Sequence, residues 1–305
     1  MKIIYYPPWR KQFFFCFQGT NDEVLTSIYQ PLHQFTKLTW SFWKRSKIIR
    51  SFCNVREQTL PIPLDFLRTE FKNFNNSLWV INKGTIAPGQ KQSAILIDLA
   101  SEEKCFIKFA SSDLAKQLLN KEISVLESLS DSDLTPKLYK KGLYKNSLYF
   151  TAELVIGKKP AQFEMDDNIL QLLIKINSVH SYFDSSTNLL FSFNHGDFCP
   201  WNLIIKEKKL VAIDWEKAGD DVLGYDLFTY IFYTQFLLFD MKPITLIMKQ
   251  NLKWINSYFL HFNITNWKPY LNHFAKLKIE RSNSIGLKNK FEKLINKQFC
   301  ILNNC

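Results

Sequence analysis

Asn194-His195-Gly196-Asp197-Phe198-Cys199-Pro200-Trp201-Asn202, followed by Val211-Ala212-Ile213-Asp214-Trp215-Glu216, places an aspartate, an asparagine five positions later, and a second aspartate closing a short apolar run. Phosphoryl transfer of the kinase type needs that set. One carboxylate meets an attacking hydroxyl, while an amide and a carboxylate hold Mg2+ on nucleotide phosphates. With five His, fifteen Asp and 23 Asn in the chain, H-x-D-x-x-x-x-N arises by chance about 0.02 times. A buried His-Asp pair capping a loop, with Asp214 as a turn residue, is the plainer reading, but it leaves the joint spacing unexplained.

The flanking residues give the motif a local structure. Leu203-Ile204-Ile205 and Leu210-Val211-Ala212-Ile213 enclose the polar turn Lys206 to Lys209, which predicts a β-hairpin. Asp214 then falls where the second strand ends and can point back at the loop of Asp197 and Asn202. Cys199 stands near His195 and raises a Cys–His nucleophile as an alternative, but it is enclosed within the D-x-x-x-x-N spacing.

Upstream, Leu78-Trp79-Val80-Ile81, Ala94-Ile95-Leu96-Ile97 and Cys105-Phe106-Ile107-Lys108-Phe109 read as three antiparallel strands. The loop Lys83 to Ser93 lies where a kinase covers phosphates with backbone N–H groups, although it is poor in glycine. Lys108 sits inside an apolar strand. It either reaches the α/β-phosphates of ATP or points outward from an edge strand. Asp113 to Leu129 has helical spacing. Glu122 in that helix is placed to hold Lys108, with Glu127 as the competing partner. Pro136 to Tyr139 and Leu148 to Thr151 predict two more strands. The connector Glu153-Leu154-Val155-Ile156-Gly157 offers backbone groups at Glu153 and Val155 to an adenine edge, or is an ordinary linker.

The remainder reads as mainly helical. Ile169 to Phe183 is predicted as one helix ending near His180, a packing or capping residue. Gly224-Tyr225-Asp226-Leu227 opens a Phe-rich helix, with Asp226 as N-cap and as a brace for the catalytic loop. Residues 1–70 read as a separate N-terminal extension, 71–152 as an antiparallel-sheet lobe and 153–305 as a helical lobe. In the extension, Thr36 to Phe52 is aromatic and basic. It either packs on its own domain or lies on an anionic membrane face.

Composition narrows the function classes. The six cysteines form no C-x-x-C, and Cys300 with Cys305 cannot alone make a four-ligand zinc site. Free cysteines suit a reducing cytosol. The apolar run Phe13 to Phe17 is too short for a signal-peptide core, and no stretch approaches eighteen apolar residues. The expected location is therefore cytoplasmic, with peripheral contact at the inner membrane face as an option. Net charge is +11, and residues 236–305 carry eleven basic and three acidic side chains. That balance favours a neutral or anionic acceptor over a polycation, with Asp220 and Asp221 as a small local acidic exception. No reading motif for nucleic acid accompanies the basic tail.

These residues resemble the aminoglycoside phosphotransferase and choline kinase-like superfamily, the small-molecule branch of the protein-kinase-like fold. The resemblance spans roughly residues 75–240. It rests on His195-Gly196-Asp197 with Asn202, Ile213-Asp214-Trp215-Glu216, Lys108, Glu122, the connector from Glu153, and Asp226. It implies an α+β bilobal fold with ATP in the cleft. It also implies Asp197 as catalytic base, Asn202 and Asp214 as Mg2+ ligands, and Lys108 with Glu122 as the nucleotide clamp. His195 and Asp226 then serve as structural support. The expected activity is ATP- and Mg-dependent phosphorylation of a small-molecule hydroxyl, a sugar or lipid-linked glycan. A non-catalytic nucleotide-binding or scaffold module and an antibiotic or choline/ethanolamine kinase are the alternatives.

Overall fold

The computed structural model describes residues 2–7, 12–17, 34–46, 52–53, 60–85, 87–160, 164–238, 242–282 and 285–303. The chain divides into two compact units, Met1–Ile156 and Gly157–Cys305.

The first unit is built on a seven-stranded antiparallel sheet. Its strands are β1 (Lys2–Tyr6), β2 (Phe13–Phe17), β3 (Ser77–Asn82), β4 (Gln92–Asp98), β5 (Lys104–Ala110), β6 (Leu138–Tyr144) and β7 (Ser147–Glu153), in the spatial order β1-β2-β3-β4-β5-β7-β6. Alternating apolar residues give the sheet two buried faces. On one, Trp79, Ile81, Leu96, Ile107 and Phe109 pack with Phe66 and Leu67 of helix α2 (Leu64–Glu70). On the other, Leu78, Val80 and Phe15 pack with Trp40 and Trp43 of helix α1 (Gln34–Arg45). The two Trp rings stack at 5.2 Å, and Tyr6 meets both edge-on.

This arrangement corrects the expected domain boundary. Residues 2–17 contribute two strands to the sheet, and α1 and α2 cover its faces, so the first seventy residues are not a separate extension. The reason is long-range: β2 pairs with β3, Phe15 opposite Val80, across a sequence gap that no local pattern reveals. The aromatic-basic segment is split between two fates. Trp40 and Trp43 are buried, while Phe35, Leu38 and Phe42 are exposed along the same helix. Its predicted part at 47–51 lies outside the described residues, as does Ile86 of the loop from Lys83.

Helix α3 (Asp113–Ser128) follows β5. Ser112 caps it by accepting from Ala115 N, and its buried stripe is Ala115, Leu119, Glu122, Ile123 and Leu126.

The second unit is mainly helical: α4 (Asp167–Asn177), α5 (Tyr225–Leu238), α6 (Ile244–His261), α7 (Lys268–Arg281) and α8 (Ile285–Asn303). Between α4 and α5 lie five strands, β8 (Ser181–Asp184), β9 (Leu189–Asn194), β10 (Leu203–Lys206), β11 (Lys209–Ala212) and β12 (Gly219–Val222). β10 and β11 form the hairpin expected around the Lys206–Lys209 turn. β8, β9 and β12 form a three-stranded antiparallel sheet with β9 central. Here a second expectation fails. α4 ends at Asn177, and Ser181–Asp184 is a strand paired with β9 rather than the last helical turn. Tyr182 and Phe183 are exposed, so they had no helical core face to join.

A buried polar network fixes β9. Asn177 donates to Phe193 O (2.7 Å) and to Asn194 Oδ1 (3.0 Å), and Tyr258 of α6 donates to Asn177 Oδ1 (2.5 Å). Asn194 in turn donates to Ser192 O (2.7 Å) and Asp221 O (3.2 Å). Because these groups are fully buried, each must find a partner inside the protein. Satisfying them sets where β9 ends and the motif loop begins.

Among the described residues no helix is long and apolar enough to cross a membrane.

Candidate active site

The motif loop leaves β9 at Asn194 and is held from below by Asp226. His195 N donates to Asp226 Oδ2 (2.6 Å) and Gly196 N donates to Asp226 Oδ1 (2.9 Å). Burial pushes the Asp226 carboxyl up to about 7 against the pull of these two N–H donors. Gly196 takes φ +80, and a Cβ there would meet Lys217 O at 2.2 Å. Only glycine lets the two backbones approach this closely.

His195 is fully buried and joins two loops. Asp197 N donates to its Nδ1 (3.3 Å), so the other nitrogen carries the proton and Nε2 donates to Ile213 O (3.0 Å). Its ring centroid lies 4.5 Å from that of Trp215. The aromatic neighbour and the two bonds make His195 a structural member of the loop.

Asn202 closes the turn. It ends a single 3-10 turn, Pro200–Asn202; its Nδ2 donates to Asp197 O (2.9 Å), and its own carbonyl accepts from Ile213 N (2.9 Å). Asp197, Asn202 and Ile213, the residue before Asp214, are therefore joined by backbone and amide bonds. The Asn202 amide oxygen takes no hydrogen bond among the described residues; amide and carboxylate oxygens such as those of Asn202 and Asp214 are the donor type that hard divalent cations take. Asp214 adopts φ 69, the left-handed region. Aspartate is one of the few residues that enters it at modest cost. That conformation turns the chain from β11 directly into the turn Trp215–Lys217.

Two lysines at this loop escaped the sequence reading. Lys217 Nζ lies 3.0 Å from Asp197 Oδ2. Burial draws its pKa down, but the carboxylates of Asp197, Glu216 and Asp214 together outweigh that and raise it. Lys159 donates to Trp201 O (2.5 Å); burial lowers its pKa to about 8, opposed by the nearby Asp214. Lys217 had one available signal, its position three residues after Asp214. Lys159 had none, because a Lys in a Gly-Lys-Lys-Pro connector reads as solvated.

Cys199 is buried, and burial together with the Asp197 carboxylate pushes its thiol far above the ordinary range. Such a thiol is a poor nucleophile, which removes the Cys–His alternative. His180 is exposed and bonds Asp220 (2.6 Å), while Asp221 pairs with Arg281 (2.7 Å). Of the two aspartates in the expected acidic patch, Asp221 is therefore offset by Arg281, and Asp220 is hydrogen-bonded to His180.

In the first unit, Lys108 lies on β5, an interior strand between β4 and β7, opposite Ser93 and Phe150. The edge-strand reading falls with that. Lys108 Nζ contacts both Glu122 oxygens, at 2.8 and 2.7 Å, with both side chains buried. The competing Glu127 bonds Lys141 on the surface (2.6 Å). Glu153 ends β7, and its N–H donates to Lys137 O (2.8 Å), so that donor is already used within the sheet; Val155 follows it in the connector, buried.

Residues 158–239 match the model of the phosphotransferase enzyme family. The chain is 26% identical over 182 residues to protein TIC 214 of Draba nemorosa, covering 57% of this chain. It spans only about a tenth of that relative's length. Among solved structures, an amicoumacin kinase in complex with AMP-PNP and Ca2+ superposes with a TM-score of 0.52 at 10% identity, over 78% of this chain and 94% of that one. An aminoglycoside-3'-phosphotransferase of type VIII gives 0.51 at 14% identity, over 74% and 98%. At such identity the likeness is one of fold. The family match covers residues 158–239, the stretch that holds the motif loop, and the solved kinases share its fold.

Proposed function

We propose that the protein is an ATP- and Mg-dependent kinase of a small-molecule hydroxyl. The observation that carries this is the joining of Asp197, Asn202 and the strand end before Asp214 by the Asn202–Asp197 and Ile213–Asn202 hydrogen bonds. Asp197 orients the acceptor hydroxyl and takes its proton as the bond to phosphorus forms. Lys217 holds the Asp197 carboxylate in one rotamer and lends positive charge where the transferred group arrives. Lys108, held by Glu122, offsets negative charge on the nucleotide phosphates. Asn202 and Asp214 would hold Mg2+, which supplies charge neutralisation on those phosphates when bound. Val155 and the connector around Glu153 take the adenine edge.

For the acceptor, the basic 236–305 region supports a sugar or a lipid-linked glycan. Phe35, Leu38 and Phe42 exposed beside Lys37 and Arg45 support work at a membrane face. Sedimentation with vesicles of anionic and neutral lipid tests that second point, and equal pelleting with both would remove it.

The decisive experiment compares wild type with Asp197→Ala for Mg-ATP protection against heat and for phosphate transfer to aminoglycosides, choline and free or lipid-linked sugars. Transfer in wild type only, with protection in both, is expected. Protection without transfer to any acceptor would mark a nucleotide-binding module instead. Preferential transfer to an aminoglycoside would make it an antibiotic kinase.

A further inference from the structure

Lys278 is the unusual charge of the second unit. It lies on α7, is 5% exposed, and its Nζ stands over three rings: Tyr225 at 4.2 Å, Tyr233 at 4.6 Å and Phe274 at 5.3 Å. No hydrogen bond or ion pair to its Nζ occurs among the described residues. A buried ammonium normally has a carboxylate or carbonyl partner, because leaving water without one is costly. Ring faces return only part of that cost.

The neighbouring carboxylates are already engaged. Asp197 pairs with Lys217, Asp221 with Arg281, and Asp226 accepts two backbone N–H groups. Asp197 and Asp226 act on Lys278 electrostatically, so the lysine belongs to the surroundings of the reacting carboxylate. Two of its rings come from the same helix as Asp226, Tyr225 at the start of α5 and Tyr233 two turns on, while Phe274 lies one turn before Lys278 on α7.

We propose that Lys278, in its cage of Tyr225, Tyr233 and Phe274, is the acceptor-recognition residue, and that the acceptor carries an anionic group, a phosphate or carboxylate, beside the hydroxyl that is phosphorylated. The inference rests on the kinase reading for its reaction but not for its binding. An anionic oxygen supplies the hydrogen-bond acceptor that the protein withholds from Lys278, in a setting where a charge-assisted bond is strong. Tyr233, half-buried, offers apolar ring surface to a sugar ring. A polycationic acceptor would instead meet Lys278 and Lys217 with little screening.

The test uses the full chain and a matched pair of probes, a hexose and its 6-phosphate, with the corresponding hexuronate as the carboxylate arm. Calorimetry without nucleotide is expected to show the anionic probes binding about tenfold or more tighter than the hexose. Lys278→Met should abolish that preference, and Lys278→Arg should retain most of it. Phosphate transfer should follow the same order, through KM more than kcat. Equal binding of hexose and its anionic forms to wild type would overturn the proposal, as would a Lys278→Met protein that melts normally and keeps the preference. Should Lys278→Met not fold, the wild-type comparison decides. Anion binding without transfer to any probe would count against the kinase reading and leave the anion site standing.

Discussion

Lys108 and Lys278 are both buried lysines, one in each unit, and they are satisfied in opposite ways. Lys108 contacts both oxygens of one carboxylate, whereas Lys278 Nζ stands over ring faces and makes no hydrogen bond or ion pair among the described residues. The first is a completed ion pair, with attraction offsetting the desolvation of two charges. The second is a charge with no hydrogen-bond or ion-pair partner among the described residues. Paired burial marks a part fixed before any ligand arrives, and the proposed anion site at Lys278 is a part that a ligand would complete.

Substitution separates the two most strongly through activity and stability. Asp197→Ala, at the carboxylate near Lys278, should lower turnover about 100- to 10,000-fold with nucleotide affinity retained, measured by steady-state kinetics and nucleotide titration. Lys108→Met should destabilise the first unit by about 3–5 kcal/mol, because it strands Glu122, and Lys108→Met with Glu122→Leu should recover much of that. Denaturant unfolding reads both, and a double variant no better than the single would show that the pair is not acting as one unit. Lys278→Met, in contrast, should not destabilise the protein and should raise its stability at neutral pH, since it removes an uncompensated charge and keeps the stem's packing. A loss as large as that at Lys108 would erase the contrast.

Titration sharpens it further. Burial lowers Lys278 to about 8, below its unfolded value of 10.5. Between those values the unfolded chain binds the extra proton, so this group makes stability rise with pH, and Lys278→Met should lack that rise. Asp226 has the opposite sign. Its carboxyl is raised from 3.8 to about 7, chiefly by burial. The stability it contributes is present below about 3.8 and is lost as pH rises through about 7. Melting temperatures of wild type and Asp226→Asn from pH 4 to 8 should therefore move in the variant's favour with pH; parallel curves would show that the carboxyl does not titrate there.

Much of the site was legible because its members are close in sequence or lie in distinctive surroundings. Asp197 and Asn202 are five residues apart on one turn, and Asp214 ends a hairpin whose apolar runs are plain. Lys108 stood out as a charge inside an apolar strand, and Glu122 lies on the buried stripe of α3. Lys217 was less visible, because its bond to Asp197 depends on the close approach of its backbone to Gly196. Lys278 was counted among the basic residues of the C-terminal region, and nothing in its flanks distinguishes it from the solvated ones.

The sequence by itself determined the chemistry-bearing loop, the antiparallel strands around Lys108 and the helical character of the later chain. Hydrophobic period and turn chemistry are local and survive in any single chain. The tertiary structure alone decided that Lys2–Tyr6 and Phe13–Phe17 extend the sheet, that Ser181–Asp184 pairs with β9, and that Lys278 is buried among three rings with no hydrogen bond or ion pair among the described residues. Strand pairing and burial depend on what lies opposite in space, and a lysine's spacing does not say whether water or three aromatic rings will surround its charge.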